Sequence, residues 1–558
     1  MAHQSRPIEP SELRRSLRQQ LDQSEDHLDL VDALRDIVQQ FGPAGGPLAS
    51  LAASDPDPKL RKHAQFLLLA GVQAEQVPQD VQTALRRQAR PVLEKAIRDP
   101  LLEDGEKMAL GTIYMTAGGT LPPQEYEKCF KDFAGTLRQL MQTAVDNLSD
   151  EPPELDQALK SISVLRPENE APPALKDLEK AMAMSAGFAE KAPAAAAAMA
   201  CTVAAIAVER GMPVDSFLPP LEHLVAYPHP RAAWYLDELG RFPAGGLVAS
   251  QAAQVAQRMR DAGAAPHISL LSEFSRGYVS MIDGMGSRSV TLFFRTPKGG
   301  LDALVLILND HLGMRDAWCA FEDASQVEQA IQDPATELVY APCTPQLARE
   351  LVGDTWAIHE HDQRPLPGRF LAIRSYLGPQ AITPRRHTPN LGAYMLELMV
   401  PSEKLVQQSR KLMDYEPYSG LWFSSEAAYA FLRSHLKGRS RRLKKPQMEQ
   451  FLKEVAILER EEMLSRMAAN LEVESLAGRA TQAINQNAAQ TYLALQQNVV
   501  PWEKVPYIQG LAEVGVARMA ENIRNGYADQ NQANQASMAM DGDLTDLLGE
   551  MFGGWNTP

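Results

Sequence analysis

Cysteine is scarce in this chain and never clustered. Cys129, Cys201, Cys319 and Cys343 stand far apart, which excludes a CxxC zinc knuckle or a thioredoxin-like redox pair. Isolated thiols in apolar surroundings read as buried side chains in a reducing compartment. Positive charge is in deficit. Against 70 Asp and Glu the chain carries 55 Lys and Arg, a formal net charge of −15, and so lacks the broad basic face that phosphate contacts need. Long apolar runs are missing too. The apolar, uncharged run Ala192–Val208 has 17 residues and is rich in alanine. It touches the lower length limit for a membrane span but buries too little surface to be held in lipid, so it reads as an interior helix, with Pro193 near its start. The opening Met-Ala-His-Gln-Ser-Arg-Pro has no apolar core of a signal peptide. No GxSxG elbow and no HExxH occurs.

What is present describes a mainly α protein. With 558 residues, two to four domains are expected, and 45% apolar and 22% charged residues suit a mostly globular chain. Residues 1–47 form an N-terminal helical segment, with Leu13, Leu17, Leu21, Leu28, Val31, Leu34 and Ile37 at helical spacing. Residues 48–284 read as short amphipathic helices separated by Pro, Gly and acidic turns. The pattern changes in 285–400. Val290–Thr296 is extended, Pro297-Lys298-Gly299-Gly300 is turn chemistry and Leu301–Leu308 is almost wholly apolar. That is a β-hairpin whose second strand is buried on both faces, and it centres a small α+β module. Gly313 is expected to turn the chain after that strand and Asp316 to cap a following helix. A short helix at 326–331, a strand near Tyr340, a helix from Pro345 to Val352 and extended, proline-rich pieces over 357–374 complete the module. Residues 401–527 return to helix, with a stripe from Met448 through Phe451, Leu452, Val455, Leu458, Met463 and Met467 to Leu471. Residues 528–558, rich in Gln and Asn, read as a disordered tail.

The Asp55-Pro56-Asp57-Pro58 turn, the helix it opens, and similar turns at Asp99-Pro100 and Glu151-Pro152 are spaced as in HEAT and armadillo units. The first half of the chain therefore resembles a HEAT-like helical-repeat array, which implies an α-solenoid-like stack. Generic helical hairpins that bury their apolar faces on one another are the alternative. Leu308–Trp318, with its Leu-Gly-x-x-Asp-Ala step after a hairpin, resembles uncharacterised bacterial proteins, a resemblance that implies no activity.

Four groups of residues are candidate sites. His359-Glu360-His361-Asp362, on an extended backbone, would set His359 and His361 on one face as the start of a metal site, with His387 the nearby third histidine; a solvated polar loop is the bland reading. Cys343 with His359 downstream is a conceivable nucleophile pair, against a structural thiol. The basic run holding Arg433, His435, Lys437, Arg439, Arg441, Arg442, Lys444 and Lys445 could take an anion. It lacks interleaved aromatics for nucleic acid and otherwise reads as a solvated linker facing Glu459, Glu461 and Glu462. In the tail, Leu544, Leu547, Leu548, Met551, Phe552 and Trp555 share one helical face, with acids elsewhere. Such a segment docks in a groove of a partner or folds back on its own body. The balance leans away from an enzyme and implies no cofactor. The leading expectation is a cytoplasmic bacterial scaffold for protein–protein interaction. A metal-dependent hydrolase in 285–400, or a nucleic-acid-associated protein using 433–445, are the competing ones.

Overall fold

The computed structural model describes residues 10–23, 30–42, 44–73, 77–132, 175–268, 272–295, 300–320, 324–332, 339–436 and 442–527. The chain is mainly helical with a five-stranded antiparallel sheet in its middle. It divides into two compact units, one over Met1–Asn147 with Trp555–Pro558 and one over Leu148–Gly554. Among the described residues, no helix is long and apolar enough to cross a membrane.

The first unit holds helices α1 (Pro10–Gln23), α2 (Leu30–Phe41), α3 (Gly45–Ser54), α4 (Pro58–Gln73), α5 (Gln79–Ile97), α6 (Asp104–Thr116) and α7 (Pro123–Lys128). Leu13, Leu17, Leu34 and Ile37 of the apolar stripe are buried in its core with Leu48, Leu68 and Leu85. The Asp-Pro turn works through its carboxylates. Asp55 accepts from the Asp57 amide at 2.9 Å and Asp57 from the Lys59 amide at 3.0 Å, so each aspartate caps the chain two residues on. Pro58 then occupies the first position of α4, where no amide is needed. Arg14 crosses from α1 to hold the buried Asp55 at 2.7 Å.

The second unit begins, within the described chain, with α8 (Leu175–Phe188), α9 (Pro193–Glu209), α10 (Leu218–His223), α11 (Pro230–Gly240) and α12 (Gly246–Asp261). The alanine-rich run is α9, and its residues from Ala194 to Ala198 and from Ala200 to Ala207 are buried. Small side chains allow a close neighbour. A Cβ on Gly368 would lie 2.3 Å from the Ile206 amide nitrogen of α9, so only glycine fits there.

The sheet order is β4-β3-β2-β1-β5, from β1 (Glu273–Ser280), β2 (Ser287–Arg295), β3 (Leu301–Asn309), β4 (Gly313–Ala320) and β5 (Tyr340–Pro342). β2 and β3 form the expected hairpin, with Val290 opposite Leu306 and Leu292 opposite Leu304; residues 296–299 of its turn lie outside the described residues. β3 is buried on both faces, as its sequence required. Two strands differ from the sequence expectation. β1 precedes the hairpin, and β4 stands where a helix capped by Asp316 was expected. Asp316 pairs instead across the sheet with Ile307, and its carboxylate meets Arg369 at 3.3 Å. A helix there would leave the outer backbone groups of β3 unpaired; β4 satisfies them. Gly313 does turn the chain, at φ +76°.

Helix α13 (Ala324–Gln332) matches its expected position. Helix α14 (Pro345–His361), capped by Thr344, runs nine residues past Val352. Residues 357–361 are thus helical and not extended. Beyond come α15 (Glu426–His435), α16 (Lys445–Glu454), α17 (Arg460–Leu476), α18 (Ala483–Gln496) and α19 (Pro506–Arg524). The stripe from Met448 to Leu471 spans two helices, α16 and α17, broken by a tight turn at Ala456–Glu459 that leaves Leu458 69% exposed.

Candidate functional site

A dense polar cluster lies where α17 meets the sheet and α14. Glu462, Arg466 and Asn470 fall at i, i+4 and i+8 and so form one row along α17. Beside this row run the buried apolar Met463, Met467 and Leu471. Arg466 is almost wholly enclosed. Its guanidinium grips Asp310 with two bonds, Nε to Oδ2 at 2.6 Å and Nη2 to Oδ1 at 3.1 Å. It also donates to the Gly284 carbonyl at 3.2 Å and meets Glu462 at 2.6 Å. Asn470 brackets Ile282, accepting from its amide at 2.8 Å and donating to its carbonyl at 3.1 Å.

The turn that presents Asp310 is built by Asn309. Its Oδ1 accepts from the His311 and Leu312 amides at 2.9 and 2.8 Å, while its Nδ2 donates to the Met285 carbonyl. Gly286, at φ +80°, leaves space for the clamp, since a Cβ there would sit 1.8 Å from Asp310 Oδ1. Residues 386–390 join the cluster through carboxylates. His387 Nε2 lies 2.9 Å from Glu472, the Asn390 amide donates to Glu472 at 2.7 Å, and the His387 amide donates to Asp354 at 3.2 Å. Between α14 and the start of β2 is a cleft of about 10 Å³, lined among others by Arg288, Asp310, Asp354 and Thr355. That is room for roughly one water. Burial pulls the Arg288 guanidinium below the usual arginine range, against the opposing pull of Asp354, Glu472 and Asp310.

His311 Nε2 stands 2.8 Å from Glu462. That bond raises the imidazole above its ordinary value of 6.5, with burial working against it. Burial pushes Glu462 up, but its bond to His311 and the charge of Arg466 outweigh this and leave it below the ordinary carboxylate value. The raised histidine adds stability that is fully present below about pH 6.5 and is lost as pH rises through its folded value. The depressed glutamate adds stability present above its unfolded value, lost as pH falls through its folded one. Urea midpoints of the second unit should therefore fall as pH rises above about 6.5. His311→Gln should flatten that slope, and an unchanged slope would remove His311 as its source. Because His311 is half-exposed, the effect is small.

The donor atoms of Asp310, His311 and Glu462 lie within 4.8 Å of one another, which makes them the group of described residues best placed to hold a cation. Arg466 already neutralises the same carboxylate oxygens, so the arrangement is an ion-pair clamp joining α17 to the β3–β4 turn.

His359 and His361 are separated. On a helix, positions two apart point about 200° away from each other. His359 is buried with Nε2 3.2 Å from the Met314 carbonyl and is held below its ordinary value by burial, whereas His361 is exposed. The shared face expected of them required an extended backbone. Cys343 is buried, and burial pushes its thiol up to about 12, the opposite of an activated nucleophile. Of the basic run, Lys437, Arg439 and Arg441 lie outside the described residues; Lys444 precedes α16 and Lys445 opens it, with Arg442 just before. Glu459 does not face that run, because its carboxylate caps α15 through the Ser424 and Ser425 amides at 2.9 and 3.1 Å. Glu462 belongs to the clamp. Leu544, Leu547, Leu548, Met551, Phe552 and Trp555 lie outside the described residues.

A second feature is apolar. In the segment Leu391–Val400, Met395, Leu398 and Val400 are 57%, 73% and 84% exposed. The segment is not loose. Tyr394 is buried and its hydroxyl donates to the Leu471 carbonyl at 3.0 Å. Leu391, Leu396 and Met399 pack against the apolar cluster of the C-terminal helices. Met395 adopts φ +48°, ψ +49°, a left-handed conformation a non-glycine side chain rarely takes. Three outward apolar side chains on an anchored, strained backbone are what a docking surface shows. The sequence signal was an apolar decamer with one acid and neither helical nor strand period.

Comparison with protein-family models, with curated proteins and with solved structures returned no match.

Proposed function

We propose that this protein is a helical scaffold that binds another protein, and that Leu391–Val400 is the surface it offers. The single observation that carries the reading is the outward display of Met395, Leu398 and Val400 from a backbone pinned by Tyr394. Exposing three large apolar side chains within six residues is unfavourable in water by roughly 1.5–3 kcal/mol for each side chain that a partner would fully bury. A stacked, solenoid-like arrangement of the N-terminal helices belongs to the same proposal, since such arrays present extended surfaces to other proteins.

The test is photo-crosslinking in cell extract. A photoreactive residue in place of Leu398 or Val400 should give a discrete adduct with another protein, while one in place of the exposed Glu461 should not. Leu398→Asp should abolish recovery of that partner and leave the urea midpoint within about 0.5 kcal/mol, because the side chain stands in solvent. Identical adducts from all three positions, or none, would sink the proposal.

A further inference from the structure

The exposed strip and the acidic, amphipathic C-terminal segment belong to one chain, and we infer that the segment Leu544–Phe552 covers the strip of its own molecule. This rests on the reading of Leu391–Val400 as a docking surface and adds its occupant. Three observations meet. The strip offers Met395, Leu398 and Val400 to solvent. The tail sequence places Leu544, Leu547, Leu548, Met551 and Phe552 at helical spacing with Asp546 and Glu550 between them, the pattern of a helix that buries one face. The described chain ends at Tyr527, just past α19, and Ile523 of α19 packs against the same apolar cluster as Leu396 and Met399 of the strip. The described chain thus ends on the same apolar cluster against which the strip packs.

Reach and competition favour the chain's own tail over other occupants. Residues 528–543 can span up to about 55 Å when extended, roughly twice the ~28 Å length of α19. A tether of this length sets an effective concentration in the millimolar range, far above micromolar protein in trans, so even a weak apolar contact closes within the molecule. Charge permits the contact. Exposed Arg385, Arg386 and Lys404 bracket the strip in sequence, against exposed Glu397 and Glu403, while the tail segment brings only acids. Occupied in this way, the surface would be released to an outside partner only when that partner outcompetes the tail.

Peroxide oxidation of methionine, read by mass spectrometry on the purified full chain, tests this. Met115 and Met395 are 55% and 57% exposed in the described structure, so Met115 is an internal reference. Met395 should oxidise at least about fivefold more slowly than Met115 in the native chain. In the full-chain double variant Leu548→Asp, Phe552→Asp the two rates should become equal. Protection should be the same at 0.5 and ~50 µM protein, as expected for an intramolecular contact. Equal rates of Met395 and Met115 in the native chain would overturn the inference, and so would protection that survives the double variant or disappears on dilution; the last would assign the strip to a second copy. A Leu398 crosslink to another protein alongside unprotected Met395 would remove the tail and keep the docking surface, whereas unprotected Met395 with no such crosslink would remove the surface itself.

Discussion

Replacing Arg466 by alanine is expected to lower the stability of the second unit by about 3 kcal/mol or more. The arginine is 2% exposed and its partners Asp310 and Glu462 are 18% and 24% exposed. Without it, two carboxylates converge on His311 in a poorly hydrated site, and the Gly284 carbonyl loses its donor. The penalty comes from stranded charge more than from the pair's own strength. Lysine should rescue little, because one ammonium cannot supply Nε and Nη2 to both oxygens of Asp310 while reaching Gly284. Asp310→Asn in the Arg466→Ala background should cost little more, since the stranded charge is removed with it. Urea titration read by hydrogen exchange of α17 and β2 checks this. A midpoint unchanged by Arg466→Ala would show that the clamp carries no net stabilisation.

An effect of at least that size is expected at Arg374, the most completely enclosed ion pair among the described residues. Arg374 and Glu238 are 0% and 3% exposed and 2.8 Å apart. Arg374 also donates to the carbonyls of Gly378 and Gln380, at 2.9 and 2.6 Å, and stacks over Trp234 at 5.3 Å. One side chain therefore fastens α11 to the turn at 374–380. Arg374→Met should cost about 3–5 kcal/mol, because Glu238 remains buried with only the more distant, exposed Arg241 near it. Adding Glu238→Leu should recover part of the loss, since an apolar pair of similar volume needs no compensating charge. Exchange of α11 amides reports the result. A double variant less stable than the single one would contradict this account of the cost.

Much of the fold was legible in residue patterns. Period-3.6 stripes placed Leu13, Leu17, Leu34 and Ile37 in a core, the alanine run gave an interior helix, and the apolar Leu301–Leu308 gave a doubly buried strand. The errors share one cause. β4 and the second half of α14 lack a clean period of their own; Gly313–Ala320 becomes strand because β3 needs a partner along its edge. Likewise, only an extended backbone would pair His359 with His361, and the helix that sets them apart is fixed by packing along the whole of α14.

The candidate sites were less legible, because each depends on residues far apart in sequence. Arg466 finds Asp310 across 156 positions, and nothing near either residue announces the other. The strip at Leu391–Val400 looks in sequence like any short apolar core segment. By itself the sequence determined the helical character, the central hairpin and the scarcity of paired cysteine and basic surface, because these follow from local period and composition. Only the tertiary structure decided which charges are buried against one another and which apolar side chains are left facing water, because burial is set by what packs alongside a residue and not by its neighbours in the chain.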